Sequence, residues 1–200
     1  MQTIIYLVRH GQVYNPDKII YGRLPNFGLS ETGKKQIEET AEFLKDKQVD
    51  IIFSSPLLRA KQTAEIIKDR LELPTIHITE EINEVKTSYQ GWKESDLDKL
   101  QSEVYLKPLD SHDETMEQIA QRMKHFVETI SQSFAGKHIA VCSHGDPIML
   151  LKFAIQHKPF EVTSFKKDNY VQHGEVYQIT INEEALSIMN VFKPTFHTLH

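Results

Sequence analysis

A chain of 200 residues, 40% hydrophobic and 26% charged, has the composition of an ordinary globular domain, and at this length roughly 70% of the unfolded surface can be buried around one core. A formal net charge of −5 excludes a broad nucleic-acid face, because sequence-independent affinity for that polyanion needs clustered lysine and arginine. The single cysteine, Cys142, excludes an internal disulfide, and no apolar run approaches the roughly 18 residues of a membrane span.

Met-Gln-Thr runs directly into a strand pattern without a basic stretch or cleavage site, so a cytoplasmic protein is expected. Thr3 to Val8 reads as a buried strand ending in Arg9-His10-Gly11. Such a cluster can be a plain surface pair at a strand end. It also suits a nucleophilic imidazole attacking a phosphoryl group that the arginine holds, with the glycine allowing close backbone approach. Residues 12 to 29 are rich in turn formers and read as a long functional loop. Ser30 is a good N-cap for a helix from Glu31 to about Lys47, with Ile37, Thr40, Ala41 and Leu44 on one face.

Asp50 to Phe53 predicts a second strand, after which Ser55 is expected to cap a helix and Pro56 to occupy its first position. Arg59 then lies about one turn in, close to free N–H groups that favour an anion. Leu73 to Ile78 reads as another strand, followed by the acidic passage Glu80-Glu81-Ile82-Asn83-Glu84. Residues 85 to 113 read as an insertion or lid with a short helix near Ser95 to Ser102. Thr115 to Ser133 is a long helix with Met116, Ile119, Met123, Phe126, Val127 and Ile130 on its apolar face, closed by Gly136.

The opening pattern then recurs: a buried strand, His138 to Cys142, leads into Ser143-His144-Gly145-Asp146-Pro147. Asp146 is the expected N-cap of a helix from Ile148 to about Gln156, with Pro147 at its first position. Val171 to Ile181 and Ala185 to Phe192 read as a closing hairpin. The fold class expected is therefore α/β, a three-layer α/β/α sandwich with a mainly parallel mixed sheet, forming one domain over residues 1–200. Ligand sites in such sheets lie beyond the carboxyl ends of the strands. Three such ends bring together two histidines, two arginines and two helix N-termini, a cationic pocket sized for one phosphoryl group.

Leu-Val-Arg-His-Gly near the N-terminus, Leu29-Ser30-Glu31-Thr32-Gly33, Ser-Ser-Pro-Leu-Leu-Arg-Ala-Lys-Gln-Thr-Ala and Ser-His-Gly, in that order over nearly the full length, resemble the histidine phosphatase superfamily, with its phosphoglycerate mutase-like fold. The resemblance implies His10 as a phosphorylated nucleophile whose ring is oriented by the Gly11 carbonyl. It implies Arg9, Arg59 and His144 as the phosphate clamp, Glu84 as proton donor, and no metal or organic cofactor. Gly11, Asn15, Arg23 and Gly145 are expected around the phosphate. The chain departs from the family pattern at Val13, where relatives commonly have threonine, at Asn15, one place earlier than usual, and at His112-Asp113, which replaces a glycine region.

The function expected is metal-independent hydrolysis of a small phosphorylated metabolite, with no nucleic-acid or membrane partner and with monomer or homodimer left open. A phosphoglycerate mutase-type transfer is the nearest alternative, disfavoured because only about ten residues follow the last strand and little chain is left to close over a phosphoenzyme. A metal phosphohydrolase built on His112-Asp113 and a non-catalytic phospholigand-binding protein are the alternatives from other classes. The remaining histidines, 77, 112, 125, 138, 157, 173, 197 and 200, read as surface or structural.

Overall fold

A computed structural model describes residues 2–99, 105–161, 169–183 and 185–196. The elements follow one another as β1 (Thr3–Arg9), α1 (Glu31–Lys45), β2 (Ile51–Ser54), α2 (Leu58–Leu71), β3 (Ile76–Ile78), α3 (Glu94–Lys99), α4 (Met116–Ser133), β4 (His138–Ser143), α5 (Gly145–Ile155), β5 (Val176–Ile181) and β6 (Leu186–Phe192). Six strands form one sheet in the order β3-β2-β4-β1-β5-β6. The first four strands in that order are mutually parallel, and β5 joins β1 antiparallel and carries β6.

The central strands are continuously apolar because both their faces are covered. Along β1, Ile5 and Leu7 point into a core filled by the apolar stripes of α4 and α5. The alternate residues Tyr6 and Val8 point into a second core with Ile37, Ala41 and Leu44 of α1 and Ala64 and Ile67 of α2. That alternation makes the three layers. Emptying such a site, as in Leu7→Ala, costs about 2–5 kcal/mol. Cys142 is buried in the second core and unpaired.

Helix α1 is capped by Ser30, whose hydroxyl accepts from the Gly33 amide at 3.0 Å. Thr115 starts α4 with a reciprocal capping box to Gln118, which satisfies two of the amides a helix N-terminus leaves free. Two expected helix starts are corrected. α2 begins at Leu58 after an extended Leu57 without a side-chain cap, not at Pro56, and α5 begins at Gly145 with His144 in the cap position, which leaves Asp146 inside the first turn. Asp146 spends its side chain on partners across the site, and the Ser55 hydroxyl bonds Asn83 and His144 there while accepting the Leu57 amide only at 3.4 Å.

The last hairpin is also shorter than its sequence pattern, since residues 171–175 form a turn and β5 starts only at Val176. β3 is confined to three residues at the sheet edge. The end of the helix expected near Ser95 to Ser102 falls outside the described residues. The register aligns Arg9 of β1 with Ser143 of β4, and Ser54 of β2 with Cys142, so the three strands deliver their next residues to one edge. Over that edge the segments 18–20 and 91–94 are joined by backbone bonds, among them Ile20 N–H to the Trp92 carbonyl at 2.8 Å and Gly91 N–H to the Ile20 carbonyl at 2.8 Å. No helix among the described residues is long and apolar enough to cross a membrane.

Candidate active site

His10 follows the last residue of β1 and is 1% exposed. Its Nδ1 lies 2.8 Å from the Gly11 carbonyl oxygen. A carbonyl can only accept, so Nδ1 carries the proton and Nε2 presents a lone pair. Arg59, the second residue of α2 and fully buried, donates from Nε to that lone pair at 3.2 Å. Its Nη2 donates to the Gly22 carbonyl at 2.8 Å, and its guanidinium lies 4.7 Å from the centre of the Tyr21 ring. Burial, then the charge of Arg59 and the neighbouring His144, His173 and Arg9, hold the His10 imidazole well below its ordinary pKa of 6.5. Neutral at physiological pH, the ring is available as a nucleophile.

His144 packs against His10 with ring centres 5.2 Å apart. A chain of hydrogen bonds of fixed direction sets its tautomer. Asn83 donates from Nδ2 to the Glu80 carboxylate at 2.7 Å, and its Oδ1 accepts from the Glu84 amide at 2.9 Å. Ser55 must therefore donate its hydroxyl hydrogen to Asn83 Oδ1, at 3.2 Å, and accept from His144 Nε2–H at 2.8 Å. Nδ1 of His144 is left facing the pocket, 3.8 Å from a Glu84 oxygen. Burial and the arginines hold this imidazole, too, well below its ordinary pKa.

Glu84 sits on the loop after β3. Its backbone carbonyl accepts from Arg23 Nε at 2.7 Å and from Arg122 Nη2 at 3.3 Å, and Glu114 ties the two arginines together. The Glu84 carboxyl accepts the Val85 amide at 2.9 Å. Desolvation, then the Asp146 carboxylate, raise its pKa to about 7 against the opposing pull of Arg59 and Arg9. Asp146 is itself held by the hydroxyls of Tyr105 and Tyr170. A carboxyl that keeps its proton near neutrality can protonate a leaving group.

Among the described residues four buried side-chain nitrogens lack a hydrogen-bond partner: Arg9 Nε, Arg59 Nη1, His144 Nδ1 and His173 Nε2. Native interiors contain few such atoms, and each unpaired buried group costs about 1–3 kcal/mol. Neither Arg9 nor Arg59 is ion-paired among the described residues; Arg9 donates from Nη1 to the Val171 carbonyl at 2.6 Å and stacks on Tyr170. An oxyanion with several acceptor oxygens would pair with the two guanidinium nitrogens directly, and with an imidazole nitrogen that carries a proton, as His144 Nδ1 would after taking one up beside the anion. One nitrogen of each of His10 and His144 and a Glu84 oxygen lie within 4.8 Å of one another and could approach a cation. Two neighbouring guanidiniums oppose that use.

Arg9, His10, Arg59, His144 and Glu84 are thus brought to one edge of the sheet. Gly11 donates its amide to Thr63 Oγ1 at 3.3 Å. Gly145 opens α5 where a Cβ would fall 2.2 Å from the Tyr170 hydroxyl, so the tyrosine is seated only because the side chain is missing. Asn15 is used differently from the expectation: its carboxamide donates to the Ile19 carbonyl and accepts the Ile19 amide, bracing the loop. Arg23 donates from Nε to the Glu84 carbonyl and from Nη2 to Glu114, which fastens the Glu84 segment. His173, read as surface or structural, packs against His10 with ring centres 5.5 Å apart. Its sequence neighbours give no signal for this. In the sequence Ser55 was visible only as a helix cap and Asn83 only as part of an acidic passage.

A model of the histidine phosphatase superfamily (branch 1) matches residues 5–192. An uncharacterized phosphatase, PhoE, of Bacillus subtilis is 33% identical over 150 residues, covering 74% of this chain and 75% of that protein. Among solved structures, YhfR of Bacillus stearothermophilus superposes with a TM-score of 0.82 at 20% identity, covering 94% and 96% of the two chains. The mycobacterial glucosyl-3-phosphoglycerate phosphatase Rv2419c superposes with 0.78 at 21% identity, covering 95% and 97%. At these identities the superpositions speak for the fold alone.

Proposed function

This chain belongs to branch 1 of the histidine phosphatase superfamily, and from that premise we propose that it is a metal-independent phosphomonoesterase working through a phosphohistidine on His10. The observation that carries the reading is the presence, around a neutral imidazole whose Nε2 lone pair accepts from Arg59, of four buried nitrogens without a partner among the described residues. The PhoE relative, a phosphatase by name, supports the reaction class.

In the proposed reaction, the phosphoryl group of a small phosphate monoester takes the place of His10 Nε2 as partner of the Arg59 guanidinium. Nε2 then forms a bond to phosphorus while the bond to the ester oxygen breaks, and the Glu84 carboxyl gives its proton to that oxygen as the alcohol leaves. Arg9 and Arg59 bind the charge spread over the equatorial oxygens, and His144 joins them once its Nδ1 has taken the proton of an arriving phosphate monoanion. Water next attacks phosphorus and loses a proton to the Glu84 carboxylate. The P–N bond breaks, its electrons return to Nε2, and phosphate departs.

Hydrolysis of p-nitrophenyl phosphate and a panel of phosphorylated metabolites, assayed for phosphate release with EDTA present, tests this directly. Turnover by the parent and none by His10→Ala is expected. Activity that disappears with EDTA and returns with a divalent ion contradicts the metal-free route.

A further inference from the structure

The functional motifs account for three of the four unpartnered nitrogens, Arg9 Nε, Arg59 Nη1 and His144 Nδ1, but not for the fourth. We infer that His173 is a fourth ligand of the phosphoryl group, its Nε2–H donating to a non-bridging oxygen of substrate and of the phosphoenzyme. This rests on the phosphatase reading and adds a residue to its site.

Three observations carry it. His173 Nε2 is out of solvent and has no partner among the described residues, yet its ring stands 5.5 Å from that of His10, close to the 5.2 Å of His144. The turn bearing it is fastened to the residue that precedes the nucleophile: Gly174 N–H donates to the Arg9 carbonyl at 3.0 Å, Arg9 N–H to the Glu175 carbonyl at 3.2 Å, and Arg9 Nη1 to the Val171 carbonyl at 2.6 Å. Gly174 takes φ of +74°, the left-handed region open to glycine, and its carbonyl accepts from Thr40 Oγ1 at 2.7 Å. So firmly held a turn fixes the imidazole relative to His10.

The third observation is electrostatic. Burial, then the charges of Arg9 and Arg59, push the His173 imidazole well below its ordinary pKa, so both guanidiniums act on it at close range. A neutral ring in the Nε2–H tautomer donates to an oxyanion without taking up a proton. A structural histidine would instead have its buried nitrogen paired.

The test measures competitive inhibition of p-nitrophenyl phosphate hydrolysis by inorganic phosphate and by orthovanadate in the parent, His173→Ala and His173→Gln. A hydrogen bond to a charged group supports a rise of about tenfold or more in both inhibition constants for His173→Ala, with part of the loss restored by His173→Gln, whose amide keeps a donor. Constants within about twofold of the parent in both variants would overturn the inference. Should His173→Ala not fold, His173→Gln and the parent decide: in 15N-histidine-labelled parent the His173 Nε2 resonance should move on titration with phosphate, and a resonance unmoved at saturation overturns the assignment. A parent that forms phosphohistidine while His173 stays silent sinks this inference alone. A parent that neither binds phosphate nor hydrolyses esters sinks the phosphatase reading with it.

Discussion

Replacing Glu84 by glutamine should stabilise the protein at alkaline pH while damaging catalysis. In the unfolded chain this carboxyl ionises near 4.5, whereas in the folded protein it holds its proton to about 7. The folded pKa is the higher, so the folded state binds the proton more tightly, and the stability this confers is present below pH 4.5 and lost as pH rises through 7. The span is about 2.5 pKa units, which at ~1.36 kcal/mol each amounts to on the order of 3 kcal/mol. Little of this is screened, because the side chain is only 13% exposed. Glutamine does not titrate and keeps an oxygen for the Val85 amide. Urea unfolding of parent and Glu84→Gln between pH 4 and 9 should therefore show the difference swinging toward the variant by about 3 kcal/mol, or about 6–12 °C in Tm. Destabilisation on acidification by the buried histidines is common to both proteins and cancels in the difference. A gap independent of pH, or a variant weaker at pH 8 than at pH 4.5, would refute the reasoning.

The same substitution should lower the rate on an alkyl phosphate by a sizeable part of the ~10²–10⁴-fold of general acid catalysis, and much less on p-nitrophenyl phosphate, whose leaving group hardly needs a proton; equal losses would mean a structural role. Asp146→Asn removes the largest charge raising the Glu84 pKa, so the alkaline limb of the alkyl-ester pH–rate profile should move to lower pH, and an unmoved limb would contradict that coupling. Ser55→Ala deletes the acceptor that holds the His144 tautomer. It should lower kcat by about tenfold at a pH-independent KM, and an unaltered kcat would show that Asn83 and Ser55 do not orient the ring.

The strands and the polar ends that build the candidate site were readable because β1, β2 and β4 are covered on both faces, which leaves uninterrupted apolar runs that stop where Arg9-His10, Ser54-Ser55 and Ser143-His144 begin. Helix starts were misplaced for a physical reason. A serine before proline and an aspartate before proline look the same whether they cap a helix or serve a site; here Ser55 serves His144, and Asp146 lies beneath two tyrosine hydroxyls. Long-range fixtures were invisible. His173 reaches His10 only because its turn is pinned to Arg9, with 162 positions separating Arg9 from its acceptor Val171, and no local periodicity encodes such a contact. Asn15 and Arg23 have side chains fit for phosphate, but Asn15 closes its own loop and Arg23 holds the Glu84 segment.

The central claim is that His10 becomes covalently phosphorylated, and rapid quenching during turnover of a radiolabelled ester measures it most directly. The account predicts label bound to the protein, labile in acid and stable in base, located on His10 Nε2 by mass spectrometry and 31P NMR, and absent from His10→Ala. A His10→Ala enzyme that still turns over, or a parent that turns over with no trapped phosphohistidine and with phosphate transferred directly to water with inversion at phosphorus, would contradict it.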